Sequence, residues 1–101
     1  MESVIVHISS DLEPLIPRYL ANRKADIERL RDFLTQQNIE ELRSIGHTLK
    51  GSGASFGLDA VSEFGRLLEL AAKTANLTEA QRLIDDFALF LEHLQVVFVD
   101  E

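Results

Sequence analysis

The chain has 101 residues, a formal net charge of −7 and no cysteine. This length suits one domain with one core, and the hydrophobic share of 46% is that of a folded globular protein. The negative charge argues against nucleic acid or an anionic membrane as partner and favours proteins, while the lack of cysteine excludes disulfides and thiolate zinc sites. The first apolar run, residues 4–8, is too short for a signal peptide or a membrane span, so we expect a cytoplasmic protein.

Two helices are predicted on either side of Pro17. Ser10 and Glu13 have the spacing of a capping box, which predicts a helix start at Ser10. Pro17 lies too deep in that helix to be tolerated, so the short helix should end near Ile16 and Pro17 should open a longer one. The longer helix is predicted at about residues 17–36 from the apolar stripe Leu20, Ile27, Leu30 and Leu34.

Three further helices follow from apolar residues at three- and four-residue spacing. The second long helix runs to Gly57, a residue suited to a left-handed helix terminus, and the third runs from Asp59 to about residues 74–76. The fourth should open at Thr78, which forms a capping box with Gln81, and continue to Val97. Residues 4–8 look extended, but unless residues 96–99 fray into a strand they have no partner, so we expect them to pack along the helices.

These elements predict an all-α protein. Amphipathic helices joined by short loops bury their stripes against sequence neighbours, which favours an antiparallel four-helix bundle with a short extra N-terminal helix. We expect a single domain over residues 1–101, with an extended segment at 1–9 and the bundle at 10–99.

His47 lies on the outward face of the second long helix, opposite the apolar stripe. Its neighbours one or two turns away are Arg43, Lys50, Gly51 and Ala54. Glycine inside a helix costs about 1 kcal/mol relative to alanine, so Gly51 calls for a reason, and a closely approaching partner supplies one. Gly46 and Gly53 lie instead near the core, where we interpret them as sites of close helix packing. Together the outward residues form a bare, positively charged surface around one nucleophile.

The segment from His47 to Leu58 resembles the His-x-x-Lys-Gly motif of histidine-containing phosphotransfer domains, including the later helix-ending glycine. The resemblance continues through Val61, Phe64, Leu68 and Glu69, and the predicted helix layout fits the family over most of the chain. It implies that His47 is the phosphorylated residue, that Lys50 lies beside the phosphoryl group, and that Gly51 leaves room for a receiver domain. In the chemotaxis-type kinases that share the motif, a glutamate at the place of Glu69 bonds the histidine ring.

Glu69 can also be argued from the residues. An antiparallel hairpin that turns at residues 57–58 places His47 level with Glu69. A carboxylate that accepts from one ring nitrogen would fix the tautomer and leave the other nitrogen free as nucleophile. A glutamate on a helix can equally be ordinary solvated surface, and both interpretations stay open at this stage.

The predicted function is that of a phosphoryl carrier in a two-component phosphorelay. His47 would exchange a phosphoryl group with aspartates of receiver domains, or receive it from a kinase, while Lys50 and Arg43 screen its oxygens. No phosphate-binding glycine loop is present, so the chain should not act as an enzyme on ATP. We expect no cofactor, with magnesium supplied by the partner's receiver domain, and a monomer. The apolar residues predicted to dock the partner, or merely to cap the bundle, are Leu12, Leu15 and Ile16.

Three other classes of function compete with this one. A helical interaction module without chemistry fits composition and periodicity equally well, and only the cluster around His47 argues against it. A metal or haem site would need His7, His47 and His93, which show no ligand spacing. A hydrolase would need a serine–histidine–acid arrangement or a carboxylate pair, and neither can be placed.

Overall fold

The computed structural model describes residues 3–100, so Met1, Glu2 and Glu101 of the predicted domain lie outside the described residues. The described chain is mostly helical and contains four α-helices: α1 at Ile16–Thr35, α2 at Ile39–Ser52, α3 at Asp59–Lys73 and α4 at Leu77–His93. Two 3-10 helices, Ser10–Leu15 and Ala54–Phe56, precede α1 and follow α2. Two strands complete the order, β1 at Val4–Ser9 and β2 at Leu94–Val99.

The helices surround one core, whose centre is formed by fully buried side chains. The largest of these are Ile8 of β1, Leu30 of α1, Leu42 and Leu49 of α2, Leu58 just before α3, Val61 of α3, and Ile84 and Phe87 of α4. Together with other buried residues such as Ile27, Ile45 and Leu91, those on the helices repeat at the three- and four-residue spacing read from the sequence, which is why the helical prediction holds. Within residues 3–100, no helix is long and apolar enough to cross a membrane.

The end of the fourth helix was predicted wrongly. α4 ends at His93, and residues 94–99 form β2, which pairs in parallel with β1 from Val4 opposite Leu94 to Ser9 opposite Val99. The apolar residues of this segment satisfy a helical and an alternating pattern alike, and its β-branched residues favour a strand once β1 is available as partner. β1 therefore does not merely pack along the helices, and the fold is not purely α.

Two helix caps differ from the sequence prediction, although the first short helix does start at Ser10, as a 3-10 helix. The side chain of Ser9 accepts from the amide of Asp11, whereas the Ser10 hydroxyl donates to Asp100. Asn76 caps α4 by accepting from the amide of Glu79, so the helix begins one residue before Thr78. Asparagine is as good a cap as serine or threonine, and it outcompetes the capping box that follows it.

The turn between α2 and α3 has the predicted position. Gly57 has φ of 75°, a left-handed conformation that residues with a Cβ rarely adopt. α2 itself stops at Ser52, and the short 3-10 helix leads into this turn. The chain then reverses, so α3 runs back along α2.

Candidate functional site

His47 lies on the exposed side of α2, and its side chain is 69% exposed. Its ring nitrogen Nδ1 lies 3.0 Å from Oε2 of Glu69 on α3. The side chain of Glu69 is only 8% exposed. The structure therefore brings together the two residues that the predicted hairpin places level with each other. The histidine side chain lies on the outside and the carboxylate is buried.

Three glycines bring α2 and α3 close enough for this contact. A Cβ on Gly46 would lie 2.7 Å from the backbone nitrogen of Glu69, and one on Gly53 would lie 2.4 Å from that of Ser62. A Cβ on Gly65 would lie 2.3 Å from the backbone nitrogen of Lys50. Since real Cβ atoms do not come so close to backbone, only glycine fits at these three positions. Gly46 and Gly53 are thus packing residues, as the sequence indicated, and Gly65 is a third that the sequence analysis missed.

Glu69 is held in its ionised form. Lys50 donates from Nζ to Oε1 of Glu69 at 2.8 Å, and this hydrogen bond lowers the pKa of Glu69 below its ordinary value of 4.5. Burial acts in the opposite direction, while the bond to His47 and the positive charge of Lys73 lower the pKa further. An ionised carboxylate can only accept, so the hydrogen bond between them requires the proton on Nδ1 of His47. The other ring nitrogen, Nε2, then carries the lone pair.

Lys50 and Gly51 occupy different surroundings. Lys50 forms a salt bridge with the carboxylate of Glu69. From the sequence it was expected to lie beside a phosphoryl group on His47. Gly51 has no atom within 4 Å of the position that a Cβ would take. The gap beside His47 that the sequence predicted is therefore open space on the protein surface.

A depression of about 540 Å³ surrounds His47 on the side of the N-terminal half of α2. Arg43, which the sequence analysis named, lies in it, and so does Lys73, which it did not. Arg43 lies four residues before His47 and Lys73 four residues after Glu69, so the antiparallel hairpin that places His47 level with Glu69 also places Arg43 level with Lys73. The position of Lys73 could therefore have been predicted from the sequence. The residues that line the depression are Glu40, Arg43, Ser44, His47, Thr48, Lys50, Glu69 and Lys73. With three cations against two carboxylates, this surface is locally positive on a negatively charged protein.

The candidate docking residues are not equivalent. Leu15 is 52% exposed and lies in an apolar groove beside Phe56, the residue that ends the second 3-10 helix. Ile16 is only 2% exposed and belongs to the core, so the prediction that it docks a partner is wrong. Its burial favours the alternative, in which it caps the helices. Leu12 is half-buried against the same core, whereas Ala54 is exposed beyond Gly51.

No group of three or more histidine, aspartate or glutamate side chains within residues 3–100 is arranged to hold a metal ion. His7 lies on β1 and His93 at the end of α4, whereas His47 lies on α2.

Comparison with known proteins gives one family. The family model described as the Hpt domain matches residues 15–96, which is most of the chain. No curated protein and no solved structure matches the chain.

Proposed function

The chain belongs to the Hpt domain family, whose members carry out histidine phosphotransfer in phosphorelays, and on this premise we propose that His47 is its phosphoryl acceptor, through Nε2. The observation that carries the proposal is the bond from Nδ1 of the exposed His47 to the buried carboxylate of Glu69. It directs the nucleophilic lone pair away from the protein, where a partner's phosphoryl group can reach it.

The bonds, electron pairs and proton of the phosphoryl transfer can all be accounted for by His47, Glu69 and the partner's aspartate. The Nε2 lone pair attacks the phosphorus of an aspartyl phosphate, the phosphorus–oxygen bond breaks, and the aspartate leaves as a carboxylate. His47 keeps its proton on Nδ1, so the phosphorylated ring carries a positive charge that Glu69 stabilises. In the reverse direction the receiver's aspartate attacks phosphorus and the electron pair returns to Nε2. Such loose phosphoryl transfer needs positioning and charge compensation more than covalent catalysis.

Receiver domains and histidine kinases are the partners of the family. For this chain we propose that the receiver domain approaches over Gly51 and Ala54, with Leu15 and the flank of Leu12 as apolar contacts. The open space at Gly51 and the apolar groove at Leu15 support this orientation.

The rest of the proposal concerns the protein as a whole. We propose a single domain over residues 1–101 whose helices form an antiparallel bundle, acting as a cytoplasmic monomer and a phosphoryl carrier. It would need no cofactor of its own, with magnesium on the receiver domain. Hpt domains are carriers and not autonomous kinases, which supports this assignment.

The three histidines of the chain provide a test with built-in controls. A receiver domain charged with acetyl phosphate is incubated with the wild type and with His47→Gln, His7→Gln and His93→Gln. We expect acid-labile, alkali-stable label on the wild type and on both control variants, and none on His47→Gln. Label that persists in His47→Gln would place the acceptor elsewhere, and an unlabelled wild type would favour a helical interaction module without chemistry.

A further inference from the structure

Lys50 is poorly placed to compensate the charge of a phosphoryl group on His47. Its ammonium donates to Oε1 of Glu69 at 2.8 Å, so much of its charge is already balanced by that carboxylate. The second oxygen of Glu69 is occupied by His47. Lys50 therefore acts on the histidine through Glu69, by keeping the carboxylate ionised and fixed.

Two other cations line the same depression as His47. Arg43 lies one helical turn before His47 on α2, and Lys73 lies one turn after Glu69 on α3. Neither forms a salt bridge with another residue within the described chain. Because helical side chains lean towards the N-terminus of their helix, His47 leans towards the turn of Arg43, and Lys73 leans back towards Glu69.

We propose that Arg43 and Lys73 together hold the phosphoryl oxygens on phosphorylated His47, and that Lys50 is a positioning residue for Glu69. This inference rests on the proposed function of His47 and adds Lys73 to its site. Arg43 belongs to α2 and Lys73 to α3, so the close packing of these helices at Gly46 and Gly65 sets the distance between the two cations. Glu40 also lines the depression and reduces, without cancelling, the positive charge of the two.

The test needs a donor that does not depend on a partner protein. Phosphoramidate is such a donor: Nε2 attacks its phosphorus, the nitrogen–phosphorus bond of the donor breaks, and ammonia leaves with the electron pair. Wild type and variants are loaded in this way, and the phosphohistidine signal is followed by ³¹P NMR as a function of pH. A receiver domain then accepts the phosphoryl group in a separate rate measurement.

Lys73→Gln and Arg43→Gln should each move the pH midpoint of the ³¹P signal upwards, because a cation that favours the dianionic phosphoryl group is lost. Each should also slow transfer by roughly fivefold, the effect of one charge pair at contact distance in water. Lys73→Arg should restore both quantities. Lys24→Gln, which removes an exposed charge from the groove between α1 and α4, is the matched control and should change neither.

Lys50→Gln should leave the ³¹P midpoint in place and alter the ¹⁵N signals that report the His47 tautomer. The inference is overturned if Lys73→Gln behaves like Lys24→Gln, or if Lys50→Gln moves the ³¹P midpoint as far as Lys73→Gln was expected to. Failure of the receiver domain to exchange phosphoryl groups with wild-type protein would refute the proposed function, while the ³¹P titration of chemically loaded protein would still decide the roles of the cations.

Discussion

Adding one methyl group should have opposite effects at Gly51 and Gly65. A Cβ on Gly51 meets open space, so Gly51→Ala gains only helix propensity and should stabilise the protein by about 1 kcal/mol. A Cβ on Gly65 would lie 2.3 Å from the backbone nitrogen of Lys50 and 2.6 Å from the carbonyl oxygen of Gly46. Both atoms belong to the backbone of α2, which cannot yield as a side chain can. Gly65→Ala must therefore push α3 away from α2.

Overpacking of this kind typically costs about 1–3 kcal/mol, so the free energies of unfolding of the two variants should differ by about 2–4 kcal/mol. Urea denaturation followed by circular dichroism measures this difference. The displacement of α3 should also lengthen the contact between His47 and Glu69, and Gly65→Ala should lose the single tautomer seen in ¹⁵N spectra of the His47 ring. Equal or greater stability of Gly65→Ala relative to wild type would refute the close packing of the two helices.

Three further outcomes are expected. Gly51→Gln keeps a helix-compatible residue but fills the space beside His47, so transfer from a receiver domain should slow while the free energy of unfolding does not fall; unchanged transfer would mean that the gap is not a docking feature. The folded-state pKa of Glu69 is lowered, so the stability that its ionised form contributes is complete above its ordinary pKa of 4.5 and is lost as the pH falls through the lowered value. The thermal unfolding midpoint of wild type should therefore approach that of Glu69→Gln on acidification, and a constant gap between the two would contradict the ion pair with Lys50. Glu69→Ala should leave both His47 tautomers populated in ¹⁵N spectra, whereas Glu63→Ala, which removes an exposed carboxylate on the same helix, should not.

The helices and the contact between His47 and Glu69 could be predicted because they follow from local spacing and from the position of one turn. The apolar stripes determine which face of each helix is buried, and Gly57 fixes where α2 and α3 reverse. Once the turn is fixed, the level of every residue on the hairpin follows, which is how His47 was paired with Glu69. Arg43 and Lys73, each four residues further from the turn, lie level in the same way.

The pairing of the strands and the salt bridge from Lys50 to Glu69 could not be predicted in this way. β1 pairs with β2 from the other end of the chain, and no local pattern reports such a pairing. The apolar residues from Leu94 onwards also continue the helical spacing of α4, so the sequence favours a helix until a partner strand is known. Lys50 is one turn from His47 in the sequence, but its choice of Glu69 depends on how closely α3 approaches, and the glycine that permits this, Gly65, lies on the other helix.

The most direct test of the account is to identify the phosphorylated nitrogen of His47. Protein labelled with ¹⁵N in its histidine rings and phosphorylated by a receiver domain should show phosphorus coupling to Nε2 of His47, with the proton retained on Nδ1. Coupling to Nδ1, or to a ring other than that of His47, would contradict the role given to Glu69 and with it the proposed mechanism.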